Sequence, residues 1–288
     1  MSISERILSI SETLSKKQNL LGKFIVDNIF EAAMMNAPQI AGRAGVSKAT
    51  LTRFVHTLGF ESFADFHTEL RKETLRNQEM KFRQEPYLDS NNSVYQKVFD
   101  LEMELMREAL ENMEQEIFEK SAEMLFEADQ VMLVGGPIHN FLAFYAGNFM
   151  CGFRDNVRVV SQRDMEFLSL LRNAGQKSCA LVFSYPRYSQ EVQTITEMLS
   201  EKKVPVIGMT DSKLSPIVPF AKYTLLTPQK YIILADASAS AMALIHSLMV
   251  AMYRKHSDRI RGMLEKYEKD ILTTDMFVYK DYNFVKQL

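Results

Sequence analysis

The 288-residue chain lacks tryptophan and has only two cysteines, Cys151 and Cys179. They do not form a Cys-x-x-Cys pair and lie in apolar stretches, which predicts buried thiols in a reducing compartment rather than a disulfide or a metal site. No apolar run reaches the roughly 18 residues that span a bilayer, and the first residues lack the basic-then-apolar order of a secretory leader. We therefore expect a cytoplasmic protein with no membrane contact, metal or cofactor.

A strong excess of one charge is also missing, because 34 Lys and Arg stand against 36 Asp and Glu. The distribution is nevertheless uneven. Positions 1–83 hold 12 basic and 9 acidic residues, whereas positions 84–129 hold 3 basic and 13 acidic residues. A mildly basic head before a strongly acidic segment fits a polyanion-binding domain joined to a part that repels nucleic acid. Charged helices are usually only solvated, so the charge alone does not decide the function.

The length suits two domains, each large enough to bury its own core. Apolar residues recur at helical spacing through the first part of the chain, where Ser15 and Gln18 form a capping-box start signal. Three further helices are predicted over Ala37–Ala44, Lys48–Leu58 and Phe63–Leu75. A polar stretch that follows has the composition of a linker. We predict a helical domain over 1–77, a linker over 78–93 and a second domain over 94–288.

The second domain begins with an acidic helical pattern over Val94–Ala128, after which short apolar runs alternate with helices. The candidate strands are Val131–Val134, Val157–Val160, Cys179–Phe183, Val204–Met209 and Tyr223–Leu226. A long apolar helix is predicted over Ala235–Met252, with one more helix after Ser257 and an aromatic end that reaches Phe284. This alternation predicts right-handed crossovers and a five-stranded parallel sheet covered on both faces. The fold class is therefore α/β, with an all-α N-terminal domain before a doubly wound one.

Residues 39–54 have the pattern of two helices joined by a tight turn. Ala41 is small where the helices approach each other, and Gly45 tolerates the positive φ that the turn requires. Ser47 is a natural N-cap for the second helix. The positions that would turn this helix into the core are apolar, namely Val46, Leu51 and Phe54. The pattern is typical of a helix-turn-helix motif.

The outward side of the second helix is then formed by small, polar or basic residues: Ser47, Lys48, Ala49, Thr52, Arg53 and His56. Hydroxyl and ammonium groups can hold phosphates or bases, and Arg53 can contact guanine bidentately in the major groove. We interpret this side as an interface for a double-stranded DNA operator. Two alternatives stay open: a plain helical hairpin with a polar surface, and an Arg53 that pairs with Asp65 or Glu69.

The sequence GVSKATLTRF at residues 45–54, followed by LGFESF at 58–63, closely resembles the RpiR family of bacterial transcriptional regulators. The resemblance covers nearly the whole chain. It implies a C-terminal sugar-isomerase (SIS) domain, a parallel α/β unit that binds phosphosugars. It further implies a regulator of sugar or amino-sugar metabolism rather than an enzyme, acting as a homodimer or a tetramer.

The resemblance also implies where a phosphosugar would bind. The family's first SIS strand ends in G-x-G-x-S, and this chain has GGPIH at 135–139, in which Pro137 offers no amide donor. After the third strand the family has S-x-S-G-x-T-x-E, and this chain has SYPRYSQE at 184–191, with Pro186 and Arg187 replacing a serine and a glycine. The candidate ligand-binding residues are Gly135, Gly136, His139, Ser184, Arg187, Ser189 and Glu191.

These side chains could still hold an anion. Ser184 and Ser189 offer hydroxyl groups, the following helix offers amides and the positive end of its dipole, and Arg187 could clamp a phosphate. His139 could add a donor across the cleft, more strongly when it is protonated. Two alternatives remain: a sugar-phosphate isomerase with Glu191 as its general base, and a domain that only pairs subunits and binds no ligand.

Overall fold

A computed structural model describes residues 2–10, 13–82, 93–232, 235–274, 276–278 and 285. The chain forms two compact units, Met1–Asp89 and Ser90–Leu288. The helices of the first unit are α1 (Ile3–Ser9), α2 (Lys16–Asp27), α3 (Ile29–Met34), α4 (Ala37–Arg43), α5 (Lys48–Thr57) and α6 (Phe63–Phe82). Among the described helices of both units, none has the length and apolarity needed to cross a bilayer.

Local capping signals start the helices of the first unit. Ser15 and Gln18 form the predicted capping box of α2, which is confirmed, and Asn36 and Gln39 form another at α4. Such reciprocal bonds satisfy amides that have no partner within the helix. The side chains that fill the core between these helices are buried and apolar, and they include Leu21, Ile25, Ile40, Leu51, Phe54, Phe66 and Leu70. Capping therefore fixes where α2 and α4 begin, and burial of these apolar side chains packs the helices into one unit.

Helix α6 runs further than its apolar pattern predicts. It continues to Phe82, so the first five residues of the predicted linker, 78–82, are helical. These residues, Gln78-Glu79-Met80-Lys81-Phe82, contain neither glycine nor proline, and the polar residues among them do not by themselves end a helix. Residues 83–92 of the predicted linker lie outside the described residues.

The second unit alternates strands and helices. Its strands are β1 (Gln130–Gly135), β2 (Val157–Val160), β3 (Ser178–Ser184), β4 (Val206–Thr210), β5 (Tyr223–Leu226), β6 (Tyr231–Ile232) and β7 (Ala235–Asp236). Its helices are α7 (Val94–Glu111), α8 (Gln115–Glu127), α9 (Asn140–Met150), α10 (Met165–Asn173), α11 (Gln190–Glu201), α12 (Ala239–Lys255) and α13 (Ser257–Leu272). All five strands predicted from the apolar runs are present.

The first five strands form one parallel sheet in the order β2-β1-β3-β4-β5. Alternate side chains of β1 enter opposite layers: Val131 and Leu133 pack with α8, α9 and α12, whereas Met132 and Val134 pack with α10 and α11. This confirms the predicted doubly wound α/β unit. The chain leaves β1 toward one edge and builds β3, β4 and β5 toward the other. In such sheets the strand order reverses at β1 and β3, and a crevice opens there at the carboxyl ends of the strands.

The helical pattern at the start of this unit is confirmed, whereas the start of one later helix was predicted wrongly. The acidic helical pattern over Val94–Ala128 corresponds to α7 and α8, which are separated by a break after Glu111. The helix predicted over Ala235–Met252 begins only at Ala239, because Ala235 and Asp236 form β7, which pairs antiparallel with β6. Periodicity cannot separate a short apolar strand from the start of an apolar helix. The predicted helix after Ser257 is present as α13, and residues 279–284 of the aromatic end lie outside the described residues.

Candidate DNA interface and ligand crevice

The turn between α4 and α5 has the geometry expected of a helix-turn-helix. Ala41 is buried where the helices meet, and its carbonyl accepts a hydrogen bond from the Val46 amide at 2.9 Å. Gly45 has a φ of 67°, which confirms the predicted need for glycine there. Ser47 caps α5 as predicted, because its Oγ accepts from the Thr50 amide at 3.2 Å. The turn is therefore fixed by backbone geometry and by one side-chain cap.

Helix α5 has a buried side and an exposed side. Leu51 and Phe54 are almost completely buried and Val46 is half-buried, which places the predicted apolar side toward the core. The six residues of the predicted outward side are all exposed: Ser47, Lys48, Ala49, Thr52, Arg53 and His56. The structure brings them together on one accessible surface, which we call the α5 outward side.

Arg53 does not make the competing ion pairs that its sequence context allows. Its Nε donates to the Ala49 carbonyl at 3.3 Å, one turn earlier on α5. Asp65 accepts from the Ser62 hydroxyl, and Glu69 pairs with Lys72 at 2.6 Å. The two Nη groups of Arg53 therefore have no partner among the described residues. They are the groups that a planar, bidentate acceptor would use.

His56 is oriented by its own loop. Its Nδ1 lies 3.0 Å from the Phe60 carbonyl oxygen. Because a carbonyl only accepts, Nδ1 must carry the proton, which leaves Nε2 of the neutral ring as a hydrogen-bond acceptor. Thr52 is similarly directed by a bond from its Oγ1 to the Lys48 carbonyl at 3.1 Å. Both exposed side chains thus have a preferred orientation before any partner arrives.

In the second unit, the loops after β1 and β3 pack directly against each other at the strand-order reversal. A Cβ added to Gly136 would lie 2.8 Å from the Cβ of Ser189 and 3.0 Å from Cγ2 of Val192. A Cβ added to Gly135 would lie 2.8 Å from the Cα of Asn140. Only glycine lets the backbone approach this closely. The structure therefore brings the two predicted motif segments together at the carboxyl ends of β1 and β3.

His139 has a partner that the sequence did not indicate. Its Nε2 lies 3.0 Å from Oδ2 of Asp236 on β7, and both side chains are largely buried. Its ring packs against Tyr185, with the centroids 5.1 Å apart. The Tyr185 hydroxyl in turn bonds Thr227, and burial raises its pKa. His139 instead fastens the start of α9 to the short β6–β7 ribbon.

The same ribbon is fastened to α7 on its other side. Lys230, just before β6, forms an ion pair with Glu104 at 2.8 Å. Glu102 accepts a hydrogen bond from the Ala239 amide at 3.1 Å, immediately after β7. The β6–β7 ribbon is therefore held by the crevice residue His139, and its flanking residues Lys230 and Ala239 are held by the first helix of the second unit.

Glu191 is also committed to a partner that the sequence did not indicate. Its carboxylate accepts from the Arg163 amide at 2.6 Å and pairs with the Arg163 guanidinium at 2.9 Å. This hydrogen-bonded ion pair lowers the pKa of Glu191. A carboxylate with a lowered pKa is a weaker base than an ordinary glutamate. The expected role of Glu191 as a ligand contact or a base is therefore not supported by its contacts.

Polar groups suited to a ligand remain at the crevice. The Oγ of Ser184, at the end of β3, and the Oδ1 of Asn140, at the start of α9, are buried without a hydrogen-bond partner among the described residues. Ser189 caps α11 by accepting from the Val192 amide at 3.4 Å, and Arg187 is exposed on the loop just before it. Buried polar atoms are nearly always hydrogen-bonded in folded proteins, so unpaired ones mark a place where a ligand or water binds.

Comparison with known families identifies both units. The description "Helix-turn-helix domain, rpiR family" matches residues 1–77, and the description "SIS domain" matches residues 124–253. The chain belongs to the RpiR family. The family predicted from the GVSKATLTRF run is therefore confirmed, as is the SIS fold of the second unit.

Relatives of this RpiR-family chain are themselves named as regulators. An uncharacterized HTH-type transcriptional regulator of Haemophilus influenzae is 24% identical over 233 residues, which cover 79% of this chain and 80% of the relative. The HTH-type transcriptional regulator RpiR of Escherichia coli is 22% identical over 216 residues, which cover 74% of this chain and 72% of the relative. HexR of the same organism is 22% identical over 213 residues, covering 74% and 73%.

Two solved structures share the fold. The Vibrio vulnificus NanR protein complexed with ManNAc-6P matches with a TM-score of 0.66 at 13% identity, and the match covers 96% of this chain and all of NanR. The sugar isomerase domain of an RpiR transcription factor from Sphaerobacter thermophilus matches with a TM-score of 0.59 at 19% identity, covering 62% of this chain and 99% of that domain. At these identities the likeness is one of fold.

Three crevice residues of the RpiR-family chain were missed by sequence reasoning. Asn140 directly follows the first SIS motif at 135–139, so its position next to that motif could have identified it. Arg163 follows the end of β2, and the rule that carboxyl ends of parallel strands share one edge could have found it. Asp236 had no usable signal, because the ribbon that carries it was predicted as helix.

Proposed function

We propose that the chain is a sequence-specific DNA-binding transcriptional regulator that works in the cytoplasm on genes of sugar or amino-sugar metabolism. Helix α5 would enter the major groove and present Ser47, Lys48, Ala49, Thr52, Arg53 and His56 to the operator. One observation carries this proposal: the α5 outward side is exposed while the opposite side of the same short helix is buried. A recognition helix needs this division.

The proposal assigns different tasks to the two cations of α5. Arg53, with both Nη groups available, would contact guanine and so contribute to specificity. Lys48, in the first turn of the helix, would contact a phosphate and contribute affinity for any sequence. His56, with Nε2 as an acceptor, could receive a hydrogen bond from a base amino group.

The test is a mobility-shift titration of the full chain with an operator selected from genomic fragments. Arg53→Ala should weaken operator binding by about 1–3 kcal/mol and relax specificity at one base pair. Lys48→Ala should weaken binding similarly to all duplexes and reduce the salt dependence. Lys120→Ala, which removes one charge from the other unit, is the matched control and should leave binding unchanged. An Arg53→Ala chain with wild-type operator affinity would remove Arg53 from recognition.

We further infer that the crevice between β1 and β3 binds a phosphorylated sugar that modulates DNA binding. Support comes from the unpaired Ser184 and Asn140 side chains, from the exposed guanidinium of Arg187 and from the amino end of α11. An anion is favoured at a helix amino terminus. The sugar hydroxyls could donate to the unpaired amide oxygen of Asn140. The complex of NanR with ManNAc-6P makes this sugar phosphate a reasonable first probe.

Thermal unfolding of the full chain tests this inference. ManNAc-6P at about 100 times its dissociation constant should stabilise the SIS unit by roughly 2.7 kcal/mol. Inorganic phosphate, tested alongside, separates recognition of the anion from recognition of the sugar. Arg187→Ala and Ser184→Ala should each reduce the shift. If no sugar phosphate in a pentose and hexose panel shifts the transition, the version in which the SIS unit only pairs subunits is favoured.

Catalysis is not part of the proposal. An aldose–ketose isomerase needs a general base with a pKa near neutrality, and Glu191 has a lowered pKa and an ion-pair partner instead. Related regulators are named for transcription and not for an enzymatic reaction. Turnover of sugar phosphates by the purified chain, followed by product analysis, would contradict this reasoning.

A further inference from the structure

Helix α13 carries an ionisable residue on its buried side. Its buried residues are Ile260, Leu264 and Glu268, which follow one another at intervals of four. This interval keeps side chains on the same side of a helix. The first two are apolar, as expected for a side that packs against a core, but the third is a glutamate that is only 7% exposed. A glutamate is rarely buried so completely unless it has a partner.

The carboxylate of Glu268 lacks a partner of opposite charge. Within the part of the chain that the structure describes, it forms no hydrogen bond and no ion pair. The pKa of the neighbouring Tyr267 hydroxyl is raised by burial, by its contact with Cys151 and by the negative charge of Glu268. Burial of a charge without a partner costs free energy. This carboxylate therefore indicates a place where a cation binds.

Glu268 lines a groove with a volume of about 690 Å³, to whose walls α9, α12 and α13 contribute. We call it the α13 groove. Among the described residues that line it, Glu268 is the only charged one. Five others are aromatic: Phe149, Phe153, Tyr253, Tyr267 and Phe277. Sites for small molecules usually have volumes of about 300–1,000 Å³ and apolar walls with a few polar groups. The α13 groove has this size and this composition.

The aromatic residues of the groove lie at different depths. Phe153 is 7% exposed, whereas Phe149 and Phe277 are 54% and 56% exposed. The ring of Tyr267 packs against the backbone of Gly152, where an added Cβ would lie 3.4 Å from Cδ1 and Cε1 of that ring. The faces of aromatic rings attract cations, most strongly where water is excluded. The aromatic residues and the carboxylate therefore favour the same charge on a ligand.

The composition of the groove decides between possible ligands. A metal ion requires several ligand atoms, but the described lining residues supply only one carboxylate. An anion would be repelled by Glu268, and a neutral apolar molecule would bury this carboxylate further without pairing it. A cation with an apolar body satisfies both the carboxylate and the apolar walls.

We propose that the α13 groove binds an organic cation with a largely apolar body, of the quaternary ammonium or phosphonium class. The positive centre would lie beside Glu268 and Tyr267, and the apolar groups would cover Phe149, Val250 and Leu272. All five of these residues line the groove. The site contains none of the residues assigned to the phosphosugar crevice, and it takes a ligand of the opposite charge. The proposal therefore depends neither on DNA binding nor on a ligand in the crevice.

The experiment is equilibrium dialysis of the full chain against tetraphenylphosphonium and, separately, against tetraphenylborate, which has nearly the same shape and the opposite charge. The wild-type chain should bind the cation at micromolar concentration and at least about tenfold more tightly than the anion. Glu268→Gln keeps the shape of the side chain but removes its charge, so it should weaken binding of the cation at least about tenfold and leave binding of the anion no weaker. Glu265→Gln is the matched control, because Glu265 is exposed one turn earlier on α13. It should bind the cation as the wild type does.

A second variant on another helix keeps the test decisive if Glu268→Gln fails to fold, which circular dichroism establishes. Phe149→Leu keeps an apolar side chain on α9 but removes its ring, so it should weaken binding of the cation about two- to fivefold. A wild-type chain that does not bind tetraphenylphosphonium below millimolar concentration would overturn the proposal. Equal affinity for the two probes would also overturn it, since the groove would then select apolar surface and not charge. So would a folded Glu268→Gln chain that binds the cation as tightly as the wild type.

Discussion

The close approach of the two crevice loops makes Gly136→Ala a sharp test of the SIS unit. The added methyl group would lie 2.8 Å from the Cβ of Ser189 and 3.0 Å from Cγ2 of Val192. Carbon atoms in good contact are about 3.5–4.0 Å apart, so one loop has to move by several tenths of an ångström. Helix α11 cannot easily yield, because Val192, Ile195 and Leu199 anchor it in the core.

Overpacking of this kind costs about 1–3 kcal/mol of unfolding free energy. Gly262→Ala is the matched control. Gly262 lies inside α13, and nothing stands within 4 Å of its added Cβ, so alanine should stabilise the helix by roughly 0.5–1 kcal/mol. Both changes replace glycine with alanine, but Gly136→Ala should lower the free energy of unfolding and Gly262→Ala should raise it.

Urea denaturation of the full chain, followed by circular dichroism, measures both effects. The two units need not unfold together, so the transition that shifts upward with Gly262→Ala identifies the SIS unit. Gly136→Ala should shift that same transition to lower urea with little change in slope. A Gly136→Ala chain as stable as the wild type would refute the close packing of the two loops.

Two further predictions concern a turn and an ion pair. Gly45→Ala should destabilise the first unit by about 1–2 kcal/mol, because only the positive φ of 67° opposes a methyl group there. Gly42→Ala in α4 is its control and should not destabilise, and hydrogen exchange of the unit measures both; equal protection would contradict the argument. Because the pKa of Glu191 is lowered in the folded state, its ion pair stabilises the fold fully above the ordinary pKa of 4.5. This stabilisation is lost as the pH falls through the folded-state pKa. The stability difference between wild type and Glu191→Gln, below roughly 1 kcal/mol at this half-exposed site, should therefore shrink in acid. Urea titrations over a pH series measure it, and a difference that does not change with pH would count against the ion pair.

Much of the architecture could be predicted because it depends on local patterns. The strands β1 and β3 are continuous apolar runs, as expected for strands that are buried on both faces. The direction of α5 followed from Gly45, Ser47 and the apolar positions that turn inward. In both cases the secondary structure and its buried side are determined by residues that lie close together in the sequence.

The chemistry of the crevice was less predictable because it depends on residues far apart in the chain. His139 is bound by Asp236, which is 97 positions away, and Glu191 is bound by Arg163, which is 28 positions away. Neither partner belongs to a motif. The strands of the β6–β7 ribbon are too short to show the alternating apolar pattern that predicts a strand. A motif could therefore place Glu191 at the crevice, but not reveal that its carboxylate already has a partner.

The attachment of the β6–β7 ribbon at both ends has a mechanical consequence. Asp236 is tied to His139 at the crevice, while Lys230 and the Ala239 amide are tied to Glu104 and Glu102 of α7. A molecule that displaces Asp236 must either lengthen these bonds or move the middle of α7, where Glu102 and Glu104 lie. Helix α7 is the first helix of the second unit, so a ligand that displaces Asp236 is expected to shift this helix through its contacts with Lys230 and Ala239.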